Sequence, residues 1–186
     1  MDEDTVFLTM DEKADKAVEH TRNEFAGVNT GKANPGMVEG ITAEAYGSQM
    51  SLKEMAAITT PDARTIAIQP WDKSTIKAIE KAILASNIGI TPAIMGDVIR
   101  LPLPELTGER RQELVKVVSK QAEEGRVAVR NARRDAMDAL KKLQKAGDIT
   151  EDDLKADEKE IQNKTDAAIK QINDLFAAKE KDLTTV

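Results

Sequence analysis

Cysteine is absent from this chain of 186 residues, which removes disulfides, thiolate nucleophiles and cysteine metal sites at once. Histidine occurs once, as His20, too little for a histidine zinc site or an imidazole relay. Aromatic residues make up only 3%, so the core is aliphatic and no aromatic platform exists for stacking single-stranded bases. No apolar run approaches the roughly 18 residues of a membrane span. No glycine-rich phosphate loop, nucleophile elbow or histidine–glutamate zinc motif occurs, so neither cofactor nor metal is expected. The opening Met1-Asp2-Glu3-Asp4 is acidic, unlike a targeting segment, and a cytoplasmic chain without membrane contact is expected.

Proline is absent from both flanks. All six prolines (Pro35, Pro61, Pro70, Pro92, Pro102, Pro104) lie between 35 and 104, and long helices need such proline-free flanks. Met10, Ala14, Ala17, Thr21, Phe25 and Val28 alternate by three and four, predicting one helix from about Asp4 to Asn29. Leu114, Val118, Gly125, Val129, Ala132, Ala136, Leu140 and Leu143 form a second stripe, on a helix opening at Thr107 and broken at Gly147-Asp148. Thr150 reads as an N-cap, with Ile149 and Leu154 as a hydrophobic staple. A third stripe then runs Leu154, Ile161, Ala168, Ile172, Leu175, Phe176 and Leu183. Three narrow apolar seams bury one another most simply in a three-helix bundle.

The middle reads differently. Ile41–Tyr46 and Thr65–Ile68 are β-prone, Gly96-Asp97 sits at a hairpin, and Ser74–Ser86 reads as a helix carrying Ile76, Ile79 and Ile83. The expected class is therefore α+β: a discontinuous bundle of 1–30 plus 105–186, with a small β/α/β domain of 31–104 inserted into it. Paired connections make a hinge of Thr30, Gly31, Pro102, Leu103 and Pro104. Tyr46 and Trp71 are expected to pack inside the insert, and Asp152, Asp153, Asp157, Glu158 and Glu160 to form a solvated face.

The strongest local signal is basic. Between Arg110 and Arg134, eight basic residues (with Arg110, Arg111, Arg126, Arg130, Arg133 and Arg134 among them) meet three acidic ones, a local +5 in a chain of net −6. Arg126, Arg130 and Arg133 follow helical spacing. Glu123 precedes Arg126 by three and Asp138 follows Arg134 by four, whereas Arg130 and Arg133 have no acid three or four positions away. Such guanidinium groups suit phosphate, read through RNA backbone and shape, unless they bridge to the third helix.

At these residues the chain resembles bacterial ribosome recycling factors. The match runs nearly end to end, through Thr107-Gly108-Glu109-Arg110-Arg111, Arg126-Val127-Ala128-Val129-Arg130-Asn131, Arg133-Arg134-Asp135, Ile99–Pro104 and Thr165-Asp166-Ala167-Ala168-Ile169. The resemblance implies an L-shaped monomer that binds the large ribosomal subunit and its rRNA after termination. With elongation factor G and GTP it would split the subunits and free mRNA and tRNA, the hydrolysis belonging to the partner. It implies Arg133 as the main RNA contact, with Arg130 and Arg111 supporting. The family's entry sequence, arginine-threonine-glycine-arginine-alanine, is here Asn29-Thr30-Gly31-Lys32-Ala33, which leaves Lys32 as the phosphate contact at that point. Two other readings are a coiled-coil adaptor or chaperone for protein clients, which calls for exposed apolar stripes, and an enzyme with a carboxylate metal site on the last helix.

Overall fold

The computed structural model describes residues 1–86 and 88–185. They form two compact units, Met1–Phe25 with the chain from Gln112 onward, and Ala26–Arg111. The second unit is thus wider than 31–104, because the chain just after the first helix and the start of the next long one cluster with it.

The first unit is built from α1 (Glu3–Ala26) and most of α4 (Gly108–Lys145), together with α5 (Glu151–Thr184). Helix α1 stops three residues before the expected Asn29. The apolar spacing decides which faces meet. Val6, Met10, Ala14, Ala17, Thr21 and Phe25 of α1 are buried, as are Leu114, Val118, Ala122, Gly125, Val129, Ala132, Ala136 and Leu140 of α4. From α5 come Ile161, Thr165, Ala168, Ile172 and Leu183. At Gly125 the backbones come so close that a Cβ would lie 2.3 Å from Thr21 Oγ1 and 3.2 Å from Ile172 Cδ1. Each helix pair also carries a polar tie: Lys13 Nζ to Asp135 Oδ2 at 3.1 Å, Lys164 Nζ to Asp11 Oδ1 at 2.8 Å, and Arg126 Nε to Asn173 Oδ1 at 2.8 Å. Helix α5 starts at a capping box, where Thr150 Oγ1 accepts from Asp153 N–H and Asp153 Oδ2 accepts from Thr150 N–H, both at 3.0 Å.

One acid departs from the solvated face expected of it. Asp157 is only 7% exposed, and its Oδ2 is buried without a hydrogen-bond partner. Burial, and after it the Glu3 side chain, Asp153 and Glu160, push its carboxyl up to about 6. A pKa raised in the folded state gives stability that is full below about pH 4 and is lost as pH rises through 6. Asp157→Asn is therefore expected to melt several degrees above the parent at pH 7–8, a gain of about 1–2 kcal/mol, and to melt with it near pH 4. Melting curves of both chains across pH 4–8 check this. A parent–variant difference that stays constant over that range contradicts it.

The second unit holds two antiparallel sheets. Strands β1 (Thr42–Ala45) and β2 (Ser48–Ser51) form a hairpin, followed by the single turn α2 (Leu52–Met55). Strands β3 (Ala56–Asp62), β4 (Thr65–Pro70), β5 (Ala93–Met95) and β6 (Val98–Pro102) form a sheet of order β3-β4-β6-β5, with α3 (Ile76–Ala85) between β4 and β5 in sequence. Ile66 and Ile68 of β4 alternate inward with Ile99 and Leu101 of β6, and all four are fully buried in one core with Leu52, Ile79 and Ile83. Strand β3 contains Pro61, which has no N–H to donate. It is tolerated because β3 is an edge strand and its register shifts between Thr59 and Asp62.

Tyr46 and Trp71 do not pack inside this unit. Tyr46 lies in the β1–β2 turn with a positive φ of 53°, is 73% exposed, and donates its hydroxyl to Asp72 Oδ2. Trp71, next to Asp72, is 69% exposed. The aliphatic core is complete without either ring. Among the described residues no helix is long and apolar enough to cross a membrane.

Candidate nucleic-acid interface

Thirty-eight residues of uninterrupted helix give α4 a length of about 57 Å, on which the arginines are spaced by backbone geometry alone. Its first turn is capped by Thr107, whose Oγ1 accepts from Arg110 N–H at 3.1 Å. Arg110 is exposed and Arg111 half-buried, and both belong to the second unit. Arg111 lies against Gly31, its guanidinium 3.6 Å from where a Cβ would stand on that glycine.

Arg126, Arg130, Arg133 and Arg134 lie in the first unit, and their surroundings differ. Arg126 NH1 donates to Glu123 Oε2 at 3.0 Å while its Nε donates to Asn173 Oδ1 on α5. Its side chain is only 20% exposed, so it fastens α4 to α5 as well as facing outward, which is the bridging role weighed above against phosphate binding. Arg130 also departs from expectation. It is paired, its NH1 donating to Glu123 Oε1 at 3.0 Å. Seven residues make nearly two full turns, so Glu123 and Arg130 share a face. Both side chains are long enough to close the gap that an inspection at three and four positions misses. Among the described residues Arg133 remains without an acid: it is half-buried, and its Nε is buried with no hydrogen-bond partner. Arg134 is exposed, and nearby Asp135 is taken up by Lys13 of α1.

Glu123 holds this group together. Hydrogen bonds from Arg126, and then from Arg130, keep its carboxyl below the ordinary glutamate range, so it stays ionised. It was missed as a site residue because an acid in a basic stripe reads as simple neutralisation.

The expected hinge residues all lie within the second unit. Gly31 takes a φ of +79°, and Asn29 Oδ1 accepts from Gly31 N–H at 2.8 Å. An arginine at 29 has no acceptor to offer there, so the departure at this position has a structural use. Thr30 is buried and Lys32 exposed. Ala33 N–H donates to Ala63 O and Leu103 N–H to Arg64 O, both at 2.7 Å, while Arg64 pairs with Glu105. Pro102 ends β6, Leu103 is buried in the core, and Pro104 is exposed. Ala33 and Leu103 are thus tied to the β3–β4 turn.

Among the described residues no three histidine, aspartate or glutamate side chains are grouped to hold a metal ion. The exposed large apolar residues among those described, such as Leu8, Val117 and Val127 on the long helices, are scattered and make no stripe.

The comparisons with known proteins agree with this architecture. The family model for ribosome recycling factor matches residues 21–184. The chain is 53% identical over 171 residues to the ribosome-recycling factor of Synechocystis sp., covering 92% of this chain and 94% of the relative. It is 51% identical over 170 residues to that of Rhodopseudomonas palustris, covering 91% of each. A solution structure of ribosome recycling factor matches all of both chains at 40% identity with a TM-score of 0.82. A second structure has the T. thermophilus ribosome recycling factor and the E. coli elongation factor G bound to the E. coli post-termination complex. It matches 98% of this chain and 99% of its counterpart at 41% identity, with a TM-score of 0.72. From its helical periodicities to these matches, the chain belongs to the ribosome recycling factor family.

Proposed function

We propose that this chain binds the post-termination ribosome in the cytoplasm. With elongation factor G and GTP, it splits the ribosome into subunits and releases mRNA and tRNA. It is not itself the catalyst in this reading: GTP hydrolysis is the work of elongation factor G, and the chain supplies a shaped, charged body on which that factor acts. Family membership and the likeness to a factor bound beside elongation factor G support this. The observation that carries the mechanism is Arg133, a permanent cation with a buried, unpartnered Nε on a helix of local positive charge. A buried donor without an acceptor is costly, and a phosphate oxygen offers the acceptor and the counter-charge together. Arg130, Arg134, Arg126, Arg110, Arg111 and Lys32 are the further contacts of this reading. The second unit is the part that elongation factor G moves.

Arg133→Ala is expected to weaken binding to purified large ribosomal subunits by at least tenfold while the melting temperature moves by no more than a few degrees. Each phosphate contact carries about 0.7–0.9 log units of affinity per log unit of salt, so the variant's salt slope should flatten by about one contact. Cosedimentation over a salt series beside a thermal melt checks both. An unchanged slope would mean that Arg133 contacts no phosphate. The adaptor or chaperone reading is less favoured, because the exposed apolar residues form no stripe.

A further inference from the structure

Glu123 touches both arginines that flank the centre of the stripe, through a different oxygen for each. Oε2 receives Arg126 NH1 and Oε1 receives Arg130 NH1, each at 3.0 Å. The two arginines are not equivalent. Arg126 is also held by Asn173 from α5 and is 20% exposed, whereas Arg130 is 49% exposed and, among the described residues, its one ion pair is to Glu123. Arg126 and Asn173 therefore fix the carboxylate in place, and the carboxylate in turn occupies Arg130. A carboxylate presents to a guanidinium the same charge sign and paired oxygens as a phosphate. A phosphate that takes Arg130 NH1 competes with Glu123 for it, and one at the remaining N–H groups still lies beside the carboxylate's charge.

We infer that Glu123 is a specificity-determining residue of the α4 stripe: an internal counter-ion that withholds Arg130 from RNA unless a well-placed phosphate displaces it. The inference rests on the reading of α4 as an RNA-binding surface. An arbitrary RNA that offers loosely placed phosphates gains little from Arg130, because the new contact is offset by the one lost. A partner whose backbone fits the stripe, engaging Arg133 and Arg134 at the same time, holds a phosphate where Arg130 can turn to it. Arg133 has no acid to displace, so the helix carries one open and one guarded cation three residues apart. Discrimination here comes from a repulsive element built in beside an attractive one.

Glu123→Gln keeps the length and an acceptor oxygen and removes the charge. The full-length variant and parent are to be titrated, across a salt series, with an RNA duplex of about 20 base pairs of arbitrary sequence and with purified large ribosomal subunits. At moderate salt the variant should bind the arbitrary duplex roughly three- to tenfold more tightly, with a salt slope steeper by about 0.7–0.9, one phosphate contact. Affinity for large subunits should rise less, so the ratio between the two partners falls. In an Arg130→Ala background the same substitution should give no gain on the duplex. The melting temperature should stay within about two degrees, and Glu123→Ala should repeat the pattern. Unchanged or weaker duplex binding overturns the inference. So does an equal gain for both partners, or a gain that persists without Arg130, since either makes Glu123 only a nearby repulsive charge. The underlying reading is tested separately: if Arg133→Ala leaves large-subunit binding intact, the RNA surface itself is misplaced, whatever Glu123→Gln does.

Discussion

Gly125→Val is expected to lower the melting temperature by about 10 °C, the largest effect of any single substitution considered for this chain. The new Cβ alone would sit 2.3 Å from Thr21 Oγ1, and Thr21 is not free to yield. It is buried, and its hydroxyl donates to Ala17 O at 2.9 Å within α1. Ile172 Cδ1 closes the other side at 3.2 Å, so all three helices converge on the missing side chain. Overpacking a filled core costs about 1–3 kcal/mol, and a β-branched side chain pressed between helix backbones belongs at or beyond the top of that range. Each kcal/mol moves the midpoint of a chain this size by about 2–4 °C. The milder Gly125→Ala gains some helix propensity and loses less, and adding Thr21→Ala should recover part of that loss by removing the clashing oxygen. Thermal melts of the single and double variants measure the coupling. A Gly125→Val chain melting within two degrees of the parent would show that the helices separate freely at this point.

Complete loss of ribosome splitting with retained binding is the result expected when residues 33–103 are replaced by a short Gly/Ser linker. The three seams of the first unit satisfy one another without the insert. Ala33 and Leu103 are hydrogen-bonded to the carbonyls of consecutive residues, Ala63 and Arg64, so a few residues suffice to join the cut ends. The shortened chain keeps Arg126, Arg130, Arg133 and Arg134 on α4 and should cosediment with large subunits. It lacks the body that elongation factor G is proposed to move. Helical circular dichroism, cosedimentation and light scattering of ribosome splitting form the test. Full splitting by the bundle alone would falsify the proposed role of the second unit as the part that elongation factor G moves, and an unfolded product would refute the inserted architecture.

The parts of this molecule that follow from periodicity were legible in the sequence. An apolar residue every three or four positions over a proline-free stretch leaves a helix little choice, and even Gly125 falls on the stripe it occupies. The Thr150 cap was equally plain, because a hydroxyl before three acids has a direct local use. What escaped depends on partners that local composition does not reveal. Strand β2 is Ser-Gln-Met-Ser and β3 carries Pro61, so neither has strand composition. They are strands because β1 and β4 present partners. Tyr46 and Trp71 read as packing residues because aromatic rings are usually buried, yet Leu52, Ile66, Ile68 and Ile99 fill the space without them. Asp157 read as solvated because it stands among acids, whereas its helical phase turns it inward with Ile161. Of the site, the basic stripe was visible, but its division of labour was not. Arg126 answers to Asn173, forty-seven residues away, and Arg130 to a glutamate two turns back.

Trp71 gives the exposed surface of the second unit a spectroscopic signature of its own. It is the sole tryptophan, it stands 69% open to water, and every other indole that could mask its emission is absent from the chain. Its fluorescence therefore reports solvent and collisional quenchers at one known point, with no label attached and no signal from the helical unit. Because the chain also lacks cysteine, one thiol introduced at any chosen position is chemically unique. An acceptor dye coupled there makes, with the native indole, a donor–acceptor pair of defined attachment. The molecule thus comes equipped for distance measurements within itself in solution.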